Sequence, residues 1–150
     1  MDFLNIKKKE LKQIALSKKK EYINADPFPH IVLDNFFKDP ILDLVLKEFP
    51  NNLDEVGYQF KTKVEQKKYT LNKSSLLSDD TNNFINFLNS QIFLEFVQEL
   101  TSIKEKLQAD PYLEGGGLHE LRNDGFLNIH ADFNKHPSLN LDRRLNILIY

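Results

Sequence analysis

Apolar positions recur at helical intervals over the first two thirds of the chain and at short, alternating intervals over the last third. Leu4, Leu11, Ile14 and Ala15 stand at near-helical spacing among lysines, which predicts a helix over about residues 3–20. Asp26-Pro27-Phe28-Pro29 breaks the chain, and His30 to Leu33 reads as extended. A short helix begins after Asp39-Pro40, carries Ile41, Leu42, Leu44, Val45 and Leu46, and ends before Pro50. Gly57 to Val64 reads as a strand. Thr81 is placed to cap a longer helix in which Phe84, Leu88, Ile92, Phe96 and Leu100 recur every four residues, forming one stripe for the core.

After Asp110-Pro111 the pattern shortens to extended pieces, Gly116 to Arg122, Leu127 to His130 and Arg143 to Tyr150, separated by Gly and Asn/Asp turns. Helices followed by strands imply an α+β domain in which early helices buttress a β-sandwich or jelly roll. The expected organisation is a single domain over 1–150, with helical support to about residue 109 and the β core from about residue 110.

The chain has 150 residues, enough to bury a core, and a formal charge of −2, which gives no reason to expect a polyanion partner. The lysines at Lys7-Lys8-Lys9, Lys12 and Lys18-Lys19-Lys20 are dense enough to attract phosphates, yet they lack interleaved aromatics and are better read as a solvated helix face. No nucleic-acid partner is expected. Cysteine is absent, so disulfides and thiolate metal sites are excluded, and any metal must use histidine and carboxylate ligands. The opening Met1-Asp2-Phe3-Leu4-Asn5-Ile6-Lys7 has no apolar run of signal-peptide length and no later run approaches a membrane span, so a cytoplasmic location without a membrane partner is expected.

The chemistry concentrates in Gly125-Phe126-Leu127-Asn128-Ile129-His130-Ala131-Asp132-Phe133. On a strand, residues two apart share a face, so His130 and Asp132 project together about 6–7 Å apart at Cα and can converge on one ion. An imidazole and a carboxylate, completed by a later histidine, form the facial triad that holds non-haem Fe(II) with three positions open. A His-x-Asp alone is a common pattern and carries many false positives.

Its surroundings narrow the choice. From Asp110 onward the chain reads DPYLEGGGLHELRNDGFLNIHADFNKHPSLNLDRRLNILIY, which resembles the 2-oxoglutarate/Fe(II)-dependent oxygenases of the prolyl 4-hydroxylase-like group. Pro27 to Phe37 looks like that group's entry strand, and Leu88-Asn89-Ser90 with Phe93-Leu94 looks like its support helix. The resemblance implies a double-stranded β-helix of which only the first half is present. It implies His130 and Asp132 as catalytic metal ligands for Fe(II), with 2-oxoglutarate and O2 as cosubstrates and ascorbate as a reductant. It further implies hydroxylation of an unactivated C–H bond in a small-molecule or peptide substrate, a prolyl residue or another amino acid, with 2-oxoglutarate converted to succinate and CO2. Asp132 favours hydroxylation, since related halogenases lose this carboxylate.

The same resemblance assigns cosubstrate contacts. Asn146, Leu148 and Tyr150 share one face of the predicted last strand, and the position of Tyr150 matches a hydroxyl that reaches the distal carboxylate of 2-oxoglutarate; the alternative is a core aromatic. Where the family uses a tyrosine on the preceding strand, this chain has Leu121, leaving His119, on the same face, to take over that contact. The family's second histidine and the basic residue about ten positions beyond it have no counterpart, and the chain stops at Tyr150 within the apolar run Leu145 to Tyr150. The expectation is therefore the first part of an oxygenase domain, poorly soluble on its own because strand edges stay open.

Other candidates carry less. His30 is expected to bond backbone at a strand start, His136 to lie in a surface loop or beside the substrate, and Gly115-Gly116-Gly117 to form a strand-entry turn instead of a phosphate loop. Two other classes compete with the oxygenase: a non-catalytic metal- or partner-binding remnant lacking the third iron ligand, and a metal-dependent hydrolase, for which only His136 and Asp142 are local donors.

Overall fold

Asn5 holds the start of the chain extended. Its side chain donates to the carbonyls of Asn35 and Phe37, both at 2.8 Å, while backbone bonds Asn5 N to Phe36 O and Lys38 N to Phe3 O zip residues 3–5 against 36–38. These bonds override the helical spacing of Leu4, so the predicted helix starts later: a 3-10 turn at Lys8–Glu10 leads into α1, Leu11–Ile23. The computed structural model describes residues 2–150. Its other helices are α2 (Asp39–Lys47), α3 (Leu53–Val56), α4 (Asp79–Leu88) and α5 (Gln91–Thr101); its strands are β1 (Tyr58–Phe60), β2 (Glu65–Leu71) and β3 (Leu118–Leu127).

The fold is mixed, helices with a three-stranded antiparallel sheet of order β1-β2-β3. Two compact units interleave along the chain: residues 1–49 with 77–111, and residues 50–76 with 112–150. Residues 50–76, assigned from sequence to the helical support, thus join the carboxyl-terminal segment, because β2 pairs with β3.

The first unit is helical. Ala15 on α1 is fully buried beside Leu11, and Lys19 reaches Glu99 on α5 at 3.2 Å. The core is largely phenylalanine: Phe3, Phe84, Phe87, Phe93 and Phe96 are buried, and with Phe36 and Phe37 they form one network of rings at centroid distances of 5.0–6.5 Å. The single long helix expected over 81–100 is two helices, broken at Asn89-Ser90. Consequently the buried stripe is Phe84, Phe87, Phe93, Phe96, Val97 and Leu100, while Leu88 and Ile92 are only half-buried. The cap of α4 is Ser78, whose hydroxyl accepts from Thr81 N at 3.2 Å, and Thr81 itself is buried. His30 to Leu33 forms no strand; His30 Nδ1 bonds the Phe28 carbonyl at 2.9 Å.

The second unit is the sheet with its flanks. The strand read as Gly57 to Val64 is a short β1, a turn closed by Thr62 N to Glu65 O at 3.0 Å, and then β2, which the charged run Glu65-Gln66-Lys67-Lys68 conceals. β2 alternates inward Glu65, Tyr69 and Leu71, and Leu53 of α3 is fully buried in the same unit. β3 continues the predicted piece Gly116 to Arg122 through the expected turn and stops at Leu127, so that of the predicted piece Leu127 to His130 only Leu127 is strand. It carries a bulge, with Leu71 paired to Leu118 and Lys68 to Leu121, after which Gln66 pairs with Phe126. Lys67 and Asp124 take left-handed backbone at this irregularity. The Gly115-Gly116-Gly117 turn enters β3 as expected. Gly117 has φ +95°, and a Cβ there would lie 2.3 Å from the Leu71 carbonyl oxygen, so only glycine fits. Among the described residues no helix is long and apolar enough to cross a membrane.

Candidate functional site

Residues 128–133 are not a strand, so the parity argument does not place His130 and Asp132; a loop does. Arg143 N donates to Asn134 O at 2.8 Å and His136 N to Leu141 O at 3.0 Å, with Lys135 and Asp142 paired across the same pinch at 2.5 Å. His136 shapes the turn inside it: its Nδ1 accepts from the backbone N–H groups of Ser138 and Leu139 at 3.1 and 3.0 Å. This doubling-back returns Arg143 and Asn146 to Asp132. The expected strand Arg143 to Tyr150 is likewise irregular backbone.

The imidazole of His130 is fixed by its own backbone. Nδ1 lies 2.7 Å from the Asn128 carbonyl, which can only accept, so Nδ1 carries a proton and, in the neutral ring, Nε2 presents the lone pair. Nε2 faces Asp132 Oδ1 at 3.7 Å. The other carboxylate oxygen is engaged elsewhere: Asn146 Nδ2 donates to Oδ2 at 2.9 Å and Arg143 Nη2 lies 3.3 Å from it. Arg143 is held in turn by Asn146 Oδ1, which accepts from Nε at 3.0 Å, and by the Phe133 ring, 4.6 Å from its guanidinium carbon. Gly115, at φ +69°, makes room for this stack, since a Cβ there would lie 2.8 Å from the Phe133 ring. The Asn146 hydrogen bond, aided by the charges of Arg143 and Lys68, holds the Asp132 carboxyl below its ordinary range.

His130 and Asp132 keep 30% and 41% of their side-chain surface, so the pair is open to an ion from solvent. Two cis ligands about 2.1 Å from one metal stand about 3 Å apart, so a separation of 3.7 Å closes with a small side-chain rotation. A lone-pair nitrogen with its other nitrogen anchored, beside a carboxylate with one oxygen uncommitted, fits two of the three protein positions of a facial Fe(II) site. Among the described residues no three His, Asp or Glu side chains converge as a metal-binding group.

The cosubstrate candidates scatter. His119 lies on β3 close enough to feel Asp132, Arg143 and Lys68; crowding of its ring by protein atoms, with those two cations, pushes it below the ordinary histidine range although the residue stays exposed. Leu121, on the same strand face, borders an open depression of about 740 Å³ with Gln59, Lys61, Tyr69 and Arg122, whose lining includes neither His130 nor Asp132. Asn146 is brought to the site as a carboxylate partner. Leu148 and Tyr150 are exposed, at 70% and 105%. Sequence reasoning missed Arg143 and Lys68. Arg143 had a signal, being one of only three arginines in a lysine-rich chain; Lys68 had none, because its place depends on β2–β3 pairing. Comparison with family models, curated proteins and solved structures yields no match.

Proposed function

We propose that this chain carries the His-x-Asp half of an Fe(II)- and 2-oxoglutarate-dependent dioxygenase that hydroxylates a C–H bond of an amino acid, peptide or other small substrate. The fold in which it would do so is the helix-buttressed double-stranded β-helix implied by the resemblance of residues 110–150. The observation that carries the reading is the pairing of His130 Nε2 and Asp132 Oδ1 at 3.7 Å, each side chain secured through its other polar atom. His130 and Asp132 would hold the iron, and the third ligand would be a histidine that the described residues do not bring to this site. When bound, the iron would supply oxygen activation coupled to decarboxylation of 2-oxoglutarate.

The chain's own residues do the positioning. The Asn128 carbonyl fixes the His130 tautomer, so that in the neutral ring the lone pair lies on Nε2. Asn146 and Arg143 favour the ionised form of Asp132, leaving it a ligand at neutral pH. Of the cosubstrate candidates, Asn146 bonds Asp132 directly and His119 lies within electrostatic reach of it, while Tyr150, Leu148 and Leu121 belong to that role only on the strength of the resemblance. Ascorbate and a cytoplasmic location are parts of the same proposal.

The test is the coding sequence beyond codon 150. A histidine followed about ten residues later by an arginine or lysine is expected, and in the protein that includes it His130→Ala should abolish 2-oxoglutarate-dependent succinate formation. A stop codon, or unchanged turnover in that variant, overturns the oxygenase and leaves a metal- or partner-binding remnant of the fold.

A further inference from the structure

We propose that Arg143 and Asn146 form a fork that fixes Asp132 as a one-oxygen ligand, making both of them positioning residues for the metal; this rests on the reading above. A free carboxylate can rotate and offer either or both oxygens to a cation. Here Oδ2 is taken twice, by Asn146 Nδ2 at 2.9 Å and by the guanidinium of Arg143 at 3.3 Å, and only Oδ1 is turned to His130 Nε2. The fork is itself braced. Asn146 presents its amide nitrogen to Asp132 and its amide oxygen to Arg143 Nε at 3.0 Å, so one side chain sets the spacing of the other two. Arg143 rests on Phe133, and Phe133 rests on the bare Cα of Gly115.

The partners are not interchangeable with generic charge. A lysine at 143 would keep the attraction to Asp132 but could not stack flat on Phe133 while meeting both Asn146 and Asp132, because an ammonium lacks the planar array of donors. Carbonyl, amide and guanidinium contacts behind the first ligands commonly change metal affinity tenfold to a hundredfold when removed. The closing of the 134–143 pinch explains why Arg143 and Asn146, distant in sequence from Asp132, arrive at its far oxygen.

The experiment is a Mn(II) titration of this chain followed by paramagnetic broadening of backbone amides in two-dimensional NMR. The expected result is broadening centred on residues 128–133, lost in His130→Ala. Asn146→Leu, similar in size but without the amide, should need roughly tenfold more Mn(II), and Asn146→Gln, which restores the donor, should recover most of that loss. Arg143→Lys is a second variant, expected to weaken binding by roughly threefold or more; amides outside residues 128–146 report whether each variant remains folded. If the wild-type chain shows no broadening there, the metal reading itself fails. If it binds and both Asn146→Leu and Arg143→Lys bind equally well, the fork is overturned while the metal pair stands.

Discussion

Phe93→Ala probes a core position that the stripe Phe84, Leu88, Ile92, Phe96 and Leu100 does not include. Phe93 is 3% exposed, and its ring meets Phe36, Phe37, Phe87 and Phe96 at 6.5, 6.4, 5.6 and 5.8 Å. Truncating a buried phenylalanine costs about 3–5 kcal/mol through lost transfer energy and the residual cavity. The upper part of that range is expected, since four rings from three segments of one unit surround the site and rigid aromatics collapse poorly into a void. Phe93→Leu keeps most of the volume and should cost about 1–1.5 kcal/mol. The assay is urea unfolding followed by the helical circular-dichroism signal. With a slope of about 1.5 kcal/mol/M, a 3 kcal/mol loss moves the midpoint by about 2 M. Phe28, 63% exposed, is the control, and Phe28→Ala should stay within about 0.5 kcal/mol. A cost below about 1 kcal/mol for Phe93→Ala, or equal costs for Ala and Leu, would refute the packing argument.

Gly117→Ala should destabilise the sheet unit by about 2 kcal/mol or more, because it combines a left-handed backbone with a Cβ placed 2.3 Å from Leu71 O, whereas Gly116→Ala, whose nearest contact would be 3.6 Å away, should be close to neutral; thermal melts of the two variants that coincide would contradict this. His119 should titrate below 6.5 in its ring-proton NMR signals, with burial the first cause and Lys68 and Arg143 acting in the same direction against Gly116 and Asp132. Between its lower folded value and 6.5 the unfolded chain binds more protons, so the His119 contribution to stability is present above pH 6.5 and lost as pH falls through that window; a titration midpoint at or above 6.5 would remove it.

Much of the helical unit was legible in the pattern of apolar positions. The helix at Asp39-Pro40, which begins at Asp39 and includes both residues, the breaks at Pro27 and Pro50, and the core placement of Phe84, Phe96 and Leu100 all follow from local chemistry that tertiary contacts reinforce. What failed did so where a longer-range bond outbid a local preference. Leu4 has helical spacing yet lies extended, because Asn5 spends its side chain on carbonyls thirty or more residues away. β2 was unreadable because its inward positions include Glu65, which is buried and paired to Lys68 at 3.1 Å, and no periodicity rule expects a carboxylate there.

The sequence by itself determined which groups are available for chemistry: four histidines, no cysteine, a single His-x-Asp, and glycines at the turn before β3. It also indicated a mixture of helices and strands, since propensity and periodicity act over a few residues, but not their order, because β1 and β2 precede α4 and α5. Only the tertiary structure decided that His130 and Asp132 meet through a loop, that Arg143 and Asn146 close on the far oxygen of Asp132, and that Leu148 and Tyr150 are exposed. Those outcomes depend on the pinch of residues 134–143 and on the pairing of β2 with β3. They are set by hydrogen bonds between segments distant in the chain, whose geometry no local pattern encodes.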